Sequence, residues 1–242
     1  MRSFSAADLL DLWEQGMGLH AIDHALLVLR YACPEQAYEK LTTVCVGQRD
    51  ALLFKVRRHI FGNRLDACTE CPSCRERLEF ALSCDALMGE EKIQEGLVKT
   101  ITVEGIEFAL RCPDSRDAAA AAASENVEAA KRVLLARCAA RTSISEPSLD
   151  TLPVSVQAAI AAELAAIDPQ AEILLDLTCP ACKHEWQSVF EIMTFLRTEM
   201  RARARRLLQE VDALARAYGW READIFAMSE ARRGLYVEMA TS

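Results

Sequence analysis

Apolar residues recur at helical spacing from Phe4 to Ile60: Leu9, Leu10 and Trp13, then Ile22, Leu26 and Leu29, then Leu52, Leu53, Val56 and Ile60. Gly16, Gly18, Pro34 and Gly47 interrupt the pattern, so the stretch predicts three or four short helices. The period changes at residues 76–112. There ERLEFALS, LVKTITVEG and IEFALRCP alternate apolar with polar positions, and Glu104-Gly105 falls at the turn between two such runs, which predicts a small antiparallel sheet. Helical character returns at Ala118–Ala123, with Asp114 or Ser115 as its cap, and a second helix is predicted from about Glu125 to Ala140. A Ser/Pro-containing loop, TSISEPSLDTLP, leads to Pro153 at the next helix start, and Asp168-Pro169 stops that helix. EILLDLT is again strand-like, a long helix is predicted from Phe190 to Tyr218, and one or two more follow Gly219.

The expected fold class is therefore α+β and mostly α-helical. Five segments are predicted: helices over 1–64, a cysteine turn and small sheet over 65–112, an Ala-rich helical insertion over 113–171, a second cysteine turn returning to the sheet over 172–190, and a long helix with a helical tail over 191–242. With 242 residues, 51% hydrophobic and 26% charged, the chain is long enough for one large or two small domains with a sizeable core. Asp8 and Asp11 interrupt the apolar run that a signal peptide needs, and no stretch approaches the length of a membrane span, so the sequence reads as cytoplasmic with no membrane partner. A net charge of −8 argues against nucleic acid as the main partner, because such binding rests on Lys and Arg against phosphates.

The chemistry lies in the ten cysteines. Four form two Cys-Pro-x-Cys turns, Cys71-Pro-Ser-Cys74 and Cys179-Pro-Ala-Cys182, each followed by a strand-like run. A thiolate-only zinc site needs four sulfurs in a tetrahedron, and each such turn delivers two from one tight loop. Aligning the two turns also brings Leu78 opposite Trp186, the pseudo-symmetry of two facing zinc knuckles. Cys71, Cys74, Cys179 and Cys182 are the expected ligands of one structural zinc, with Cys68 or His184 as substitutes, and the competing readings are a redox pair or reduced core thiols. Arg75 and Lys183 follow the second cysteine of each turn, where glycine suits a left-handed backbone. Cys33, Cys45, Cys84, Cys112 and Cys138 read as small buried apolar residues.

Catalytic motifs are missing: no G-x-S-x-G, P-loop, H-E-x-x-H or dinucleotide glycine pattern occurs. His20 and His24 share a helix face with Asp23 between them, a weak metal pattern weighed against an ordinary solvated face. Four thiolates leave a zinc ion no open position, so no enzyme is expected. In the long helix Met193, Met200, Leu207 and Leu214 repeat every seven residues, with Ala204, Val211 and Tyr218 interleaved, a coiled-coil-like seam. Arg197, Arg201, Arg203, Arg205 and Arg206 lie between the seam positions as a solvated face or a docking surface. The tail adds Trp220, Phe226, Met228, Tyr236 and Met239, more large apolar residues than two short helices need for themselves; they either pack back onto the same domain or, being residue types of interface cores, contact a partner.

Two CPxC knuckles bracketing an insertion, a strand with Trp after the second (KHEWQSVFEI), a long helix and the ending YGW…I…M…RR…Y resemble the T4-like phage baseplate proteins, also described as baseplate hub assembly chaperones. The resemblance covers mainly residues 44–90 and 170–240. It implies an accessory role at the baseplate hub of a phage tail or contractile injection system, with hub or spike proteins as partners, the four cysteines as the metal set, and Trp220, Arg232, Arg233 and Tyr236 as the tail signature. The chain departs from the family in lacking glycine after each knuckle and in carrying Arg197, in FLRTEM, where an aromatic residue is expected. The alternative function is a zinc-ribbon nucleic-acid-binding regulator, suggested by Arg75, Arg77 and Lys183 near the knuckles.

Overall fold

A computed structural model describes residues 1–88, 98–141 and 152–241. In chain order the elements are α1 (Ala6–Gly16), α2 (Ala21–Ala32), α3 (Tyr38–Thr43), α4 (Val46–Phe61), β1 (Arg64–Glu70), β2 (Arg77–Ser83), α5 (Cys84–Leu87), β3 (Val98–Val103) and β4 (Ile106–Arg111). They continue with α6 (Ser115–Ala122), α7 (Val127–Cys138), β5 (Ala139–Arg141), α8 (Val154–Ile167), a 3-10 turn (Pro169–Ala171), β6 (Ile173–Thr178), β7 (Glu185–Phe190), α9 (Ile192–Tyr218), α10 (Glu222–Phe226) and α11 (Glu230–Thr241). Most of the loop TSISEPSLDTLP lies outside the described residues, as does Leu97 at the start of LVKTITVEG. No helix among the described residues is long and apolar enough to cross a membrane.

The chain divides into two compact units, Met1–Pro34 with Ile192–Ser242, and Glu35–Glu191. In the first, Ser5 and Asp8 cap α1 reciprocally: the Ser5 hydroxyl accepts the Asp8 N–H at 3.1 Å and the Asp8 carboxylate accepts the Ser5 N–H at 2.8 Å. The seam Met193, Met200, Ala204, Leu207 and Leu214 is buried, and α9 packs against α1, α2, α10 and α11 of the same unit. That seam is therefore core and not a surface awaiting a partner, because its own flanking helices cover it; only Tyr218 at its end stays exposed.

The same packing corrects half of the expected solvated face: His20 is exposed, but His24 is not. His20 caps α2, its Nδ1 accepting the Ile22 N–H. His24 is buried, and its Nδ1 accepts a hydrogen bond from Arg197 Nε at 3.2 Å. Arg197 also donates to the Leu19 carbonyl, so the arginine that stands where an aromatic was expected acts inside the fold. On the other edge of the imidazole, a Cβ added to Gly16 would collide with the ring, so this crossing of α1 over α2 requires glycine.

In the second unit the expected single sheet is replaced by three: β1 with β2, β3 with β4 and β5, and β6 with β7, all antiparallel. The reason is local. Each CPxC turn is itself a hairpin loop, so β2 pairs backwards across it with β1, a strand not predicted from RLDACTE, and β7 pairs with β6 instead of returning to an earlier sheet. Glu104 and Gly105 have φ of 49° and 80° and make the tight turn from β3 to β4. The three-stranded sheet and the helices α7 and α8 bury Phe108, Leu110, Leu135, Val156, Ile160 and Leu164. Asp114 caps α6 with Asp117 in a reciprocal box, and the fully buried Asp117 carboxylate accepts from Arg111 at 2.6 and 2.8 Å and from Arg137 at 2.7 Å. Burial alone would raise its pKa, but the Arg111 guanidinium, the Asp114 N–H and Arg137 together hold it well below the carboxylate range.

Burial, and after it the charge of Arg197, lowers the His24 pKa from its ordinary 6.5 to about 4. Between those values the unfolded chain binds a proton there and the folded chain does not, so this contribution to stability is complete above about 6.5 and is lost as pH falls towards about 4. Urea unfolding should accordingly show a lower midpoint near pH 4.5 than near pH 7. His24→Gln keeps an acceptor for Arg197 but cannot titrate, and should flatten that difference; an undiminished pH dependence in the variant would contradict the assignment.

Candidate metal centre

The two cysteine hairpins are built alike. The pairs Glu70↔Arg77 and Thr178↔Glu185 close their strands at the same distance from the cysteines. In the first turn the Cys71 N–H donates to the Glu76 carbonyl at 2.9 Å and the Arg75 N–H to the Cys71 carbonyl at 2.9 Å; in the second, Cys179 N–H donates to His184 O at 2.9 Å and Lys183 N–H to Cys179 O at 3.0 Å. Proline as the second residue of each turn fixes φ where the chain reverses. The reversal finishes with Arg75 and Lys183 at φ of 63° and 60°, the left-handed conformation anticipated for positions after the knuckle.

These hairpins bring all four expected sulfurs together. Cys71 Sγ lies 3.6 Å from Cys182 Sγ, Cys74 Sγ lies 3.6 Å from Cys179 Sγ, and all four fall within 4.8 Å of one another. None is in a disulfide. A zinc–sulfur bond of about 2.3 Å places tetrahedral sulfurs roughly 3.8 Å apart, so the cluster fits a metal held by four thiolates. Cys71 and Cys179 are buried against Leu78, with Phe80 and Trp186 packed beside them, while Cys74 and Cys182 face solvent. The expected pairing of Leu78 with Trp186 thus appears as a shared apolar floor under the sulfurs.

The electrostatics suit a cation. The Cys179 thiol is lowered to about 7, first by the main-chain N–H of Cys182 and then by that of Ala181. Cys74 is pushed up to about 12: the Glu76 N–H favours its thiolate, but hydrogen bonds with Cys182, Cys179 and Cys71, together with local desolvation by the crowded sulfurs, outweigh it. Four crowded sulfurs cannot all shed their protons without a positive charge between them. Cys68 and His184 stand outside the cluster: Cys68 is exposed on β1, and His184 stacks on Trp186 with ring centroids 6.0 Å apart.

The expected partner residues separate into two groups. Trp220 stacks on Tyr218 at 4.6 Å and meets Tyr236 edge-on at 4.9 Å, with Leu235 and Met239 exposed on the same helix as Tyr236. Phe226 is half-buried and Arg232 is exposed. Arg233 is a correction: only 2% exposed, its Nε donates to Glu210 at 2.6 Å, an ion pair that ties α11 to α9. Its burial is set by helix packing, which the doublet RR does not reveal.

Sequence reasoning missed a second group. Cys45, Cys112 and Asp168 also bring their donor atoms within 4.8 Å of one another. The two cysteines were expected to be apolar packing and Asp168 a helix stop, and nothing in their spacing links them. Two of the other expected packing cysteines also meet polar groups, Cys84 receiving Arg57 Nη1 at 3.8 Å and Cys138 lying 3.6 Å from Asp117.

The family model described as T4 bacteriophage base plate protein matches residues 21–197. The match includes both cysteine turns and the Ala-rich middle, and it stops short of the tail residues Trp220, Arg232, Arg233 and Tyr236. No curated protein matches the chain. No solved structure matches it.

A side chain in the left-handed region is strained by about 1–2 kcal/mol, against which glycine loses about 0.5–1 kcal/mol of unfolded-state entropy. Arg75→Gly and Lys183→Gly should therefore leave stability unchanged or raise it by up to about 1 kcal/mol, whereas β-branched Arg75→Val should lower it by at least that amount. Denaturant midpoints of the three variants test this; a Gly variant less stable than the Val variant would contradict the strain.

Proposed function

The chain belongs to the T4 bacteriophage base plate protein family, and from that premise we propose that it is a non-catalytic assembly or accessory protein for the baseplate hub of a phage tail or contractile injection system. It acts by binding hub or spike proteins. The observation that carries this reading is the family match over residues 21–197, and membership of the family points to other baseplate proteins as partners.

Zinc supplies the stability in this reading. Four thiolates satisfy a tetrahedral zinc completely, leaving no position for a substrate or an activated water, so the ion braces the two hairpins and takes no part in chemistry. All ten cysteines are free, which suits a reducing, cytoplasmic setting. The regulator reading finds less support: Arg77, beside the first knuckle, already pairs with Glu79 at 3.0 Å, and the whole chain carries −8. Trp220 and Tyr236, with Phe226 and Arg232, are the contact residues of the proposal; Arg233 serves the fold beneath them.

Purified protein should carry a zinc equivalent that Cys71→Ser or Cys179→Ser removes together with several kcal/mol of stability, since binding energy at such sites is folding energy. Metal analysis and thermal melting check this, and a serine variant that keeps both zinc and melting temperature would refute it.

The tagged chain, recovered from cells assembling contractile tails, should bring other baseplate proteins with it. Trp220→Ala should reduce that recovery at least about tenfold, as for a buried aromatic anchor worth roughly 2 kcal/mol, while leaving the fold intact. Recovery of no baseplate protein by the wild-type chain would overturn the role, and full recovery by a folded Trp220→Ala would move the surface elsewhere.

A further inference from the structure

We propose that Cys45, Cys112 and Asp168 form a second cation site, separate from the four-cysteine cluster and selective for a thiophilic divalent ion of the zinc class. The three donors come from distant parts of one unit: Cys45 precedes the first turn of α4, Cys112 follows β4, and Asp168 ends α8. Their ligating atoms nevertheless lie within 4.8 Å of one another.

The surrounding backbone holds the three in place. An isolated bridge pairs Cys45 with Asp114, and the Val46 N–H donates to the Pro113 carbonyl at 3.0 Å, fastening the start of α4 to the end of β4. Asp168 Oδ2 accepts the Gly47 N–H at 2.8 Å and the Cys112 thiol at 3.4 Å. Gly47 is in the first turn of α4, and a Cβ there would collide with Asp168 Oδ1 and stand 2.8 Å from the Ala171 nitrogen. Glycine thus leaves the half-buried carboxylate room to approach the helix start.

Two sulfurs and one carboxylate oxygen are a donor set that favours zinc over calcium or magnesium, which prefer oxygen alone. Three protein ligands leave a tetrahedral ion one position for water. Binding would release the two thiol protons to solvent, and the resulting charge would be spread over the ion and its ligands. Both cysteines are reduced, as this requires.

Cadmium binding to the full-length apo chain, kept reduced with a phosphine, separates the two sites by stoichiometry and by sulfur-to-cadmium charge-transfer absorbance. The wild type should take up two equivalents. Cys45→Ser should take up one and lose about a third of the absorbance, two thiolates of six. Asp168→Asn, nearly isosteric and so a safeguard if the serine variant misfolds, should keep the four-cysteine equivalent and weaken the other at least about tenfold. The double variant Cys71→Ser/Cys179→Ser should still bind one equivalent, so failure of the four-cysteine reading and failure of this one give different results. The proposal is overturned if the wild type saturates with the four-cysteine equivalent alone. It is overturned equally if Asp168→Asn binds both equivalents with wild-type affinity, or if Cys45 and Cys112 are found joined as a disulfide under the same reductant.

Discussion

Four sulfurs within 4.8 Å of one another constrain this molecule more than any other contact. Cys74 and Cys179 are 105 residues apart in sequence, and a closure of that length must be stabilised by what it joins. Here it joins two hairpins of the same construction, and the apolar surface under the sulfurs is small: Leu78, Phe80 and Trp186 around two buried cysteines. So little apolar area cannot by itself hold two independent two-stranded ribbons, which are marginal in water. The arrangement therefore depends on the polar chemistry of the sulfurs, including the amide N–H groups that face them.

What the sequence discloses follows from how local the cause is. The knuckles, the Glu104-Gly105 turn, the Asp114 cap and the stop at Asp168 are each decided within a few residues, and each appears where the residue types place it. The left-handed positions at Arg75 and Lys183 were readable for the same reason. β1 was not, because Arg64–Glu70 is strand only by virtue of pairing with β2 across the cysteine turn. The heptad in α9 was legible as a stripe, but a stripe does not say which surface covers it; the answer lay in α1 and α2, nearly two hundred residues earlier.

Polar groups were hardest to place. His24 and Arg197 look like surface residues taken singly, and become a buried donor–acceptor pair only when α9 lies against α2. Arg233 is indistinguishable from Arg232 in sequence, yet one is sealed against Glu210 and the other is in water. Cys45 and Cys112 were read as packing and Asp168 as a helix stop because no spacing rule links a helix start, a strand end and a helix stop. For the four-cysteine cluster the repeat of a motif did that linking; without repetition only the fold can.

The near-identity of the two hairpins also has a temporal side. A ribosome adding about 5–20 residues per second exposes the first pair of sulfurs several seconds before the second, since their separation is on the order of a hundred residues. Throughout that interval Cys71 and Cys74 are half of a cluster, with no sulfur of the second turn yet made to meet them. The sheet of β3, β4 and β5 and the helices packed on it are made in the gap. Closure of the sulfur cluster is thus a late event in synthesis, because it cannot precede the second turn, more than a hundred residues after the first.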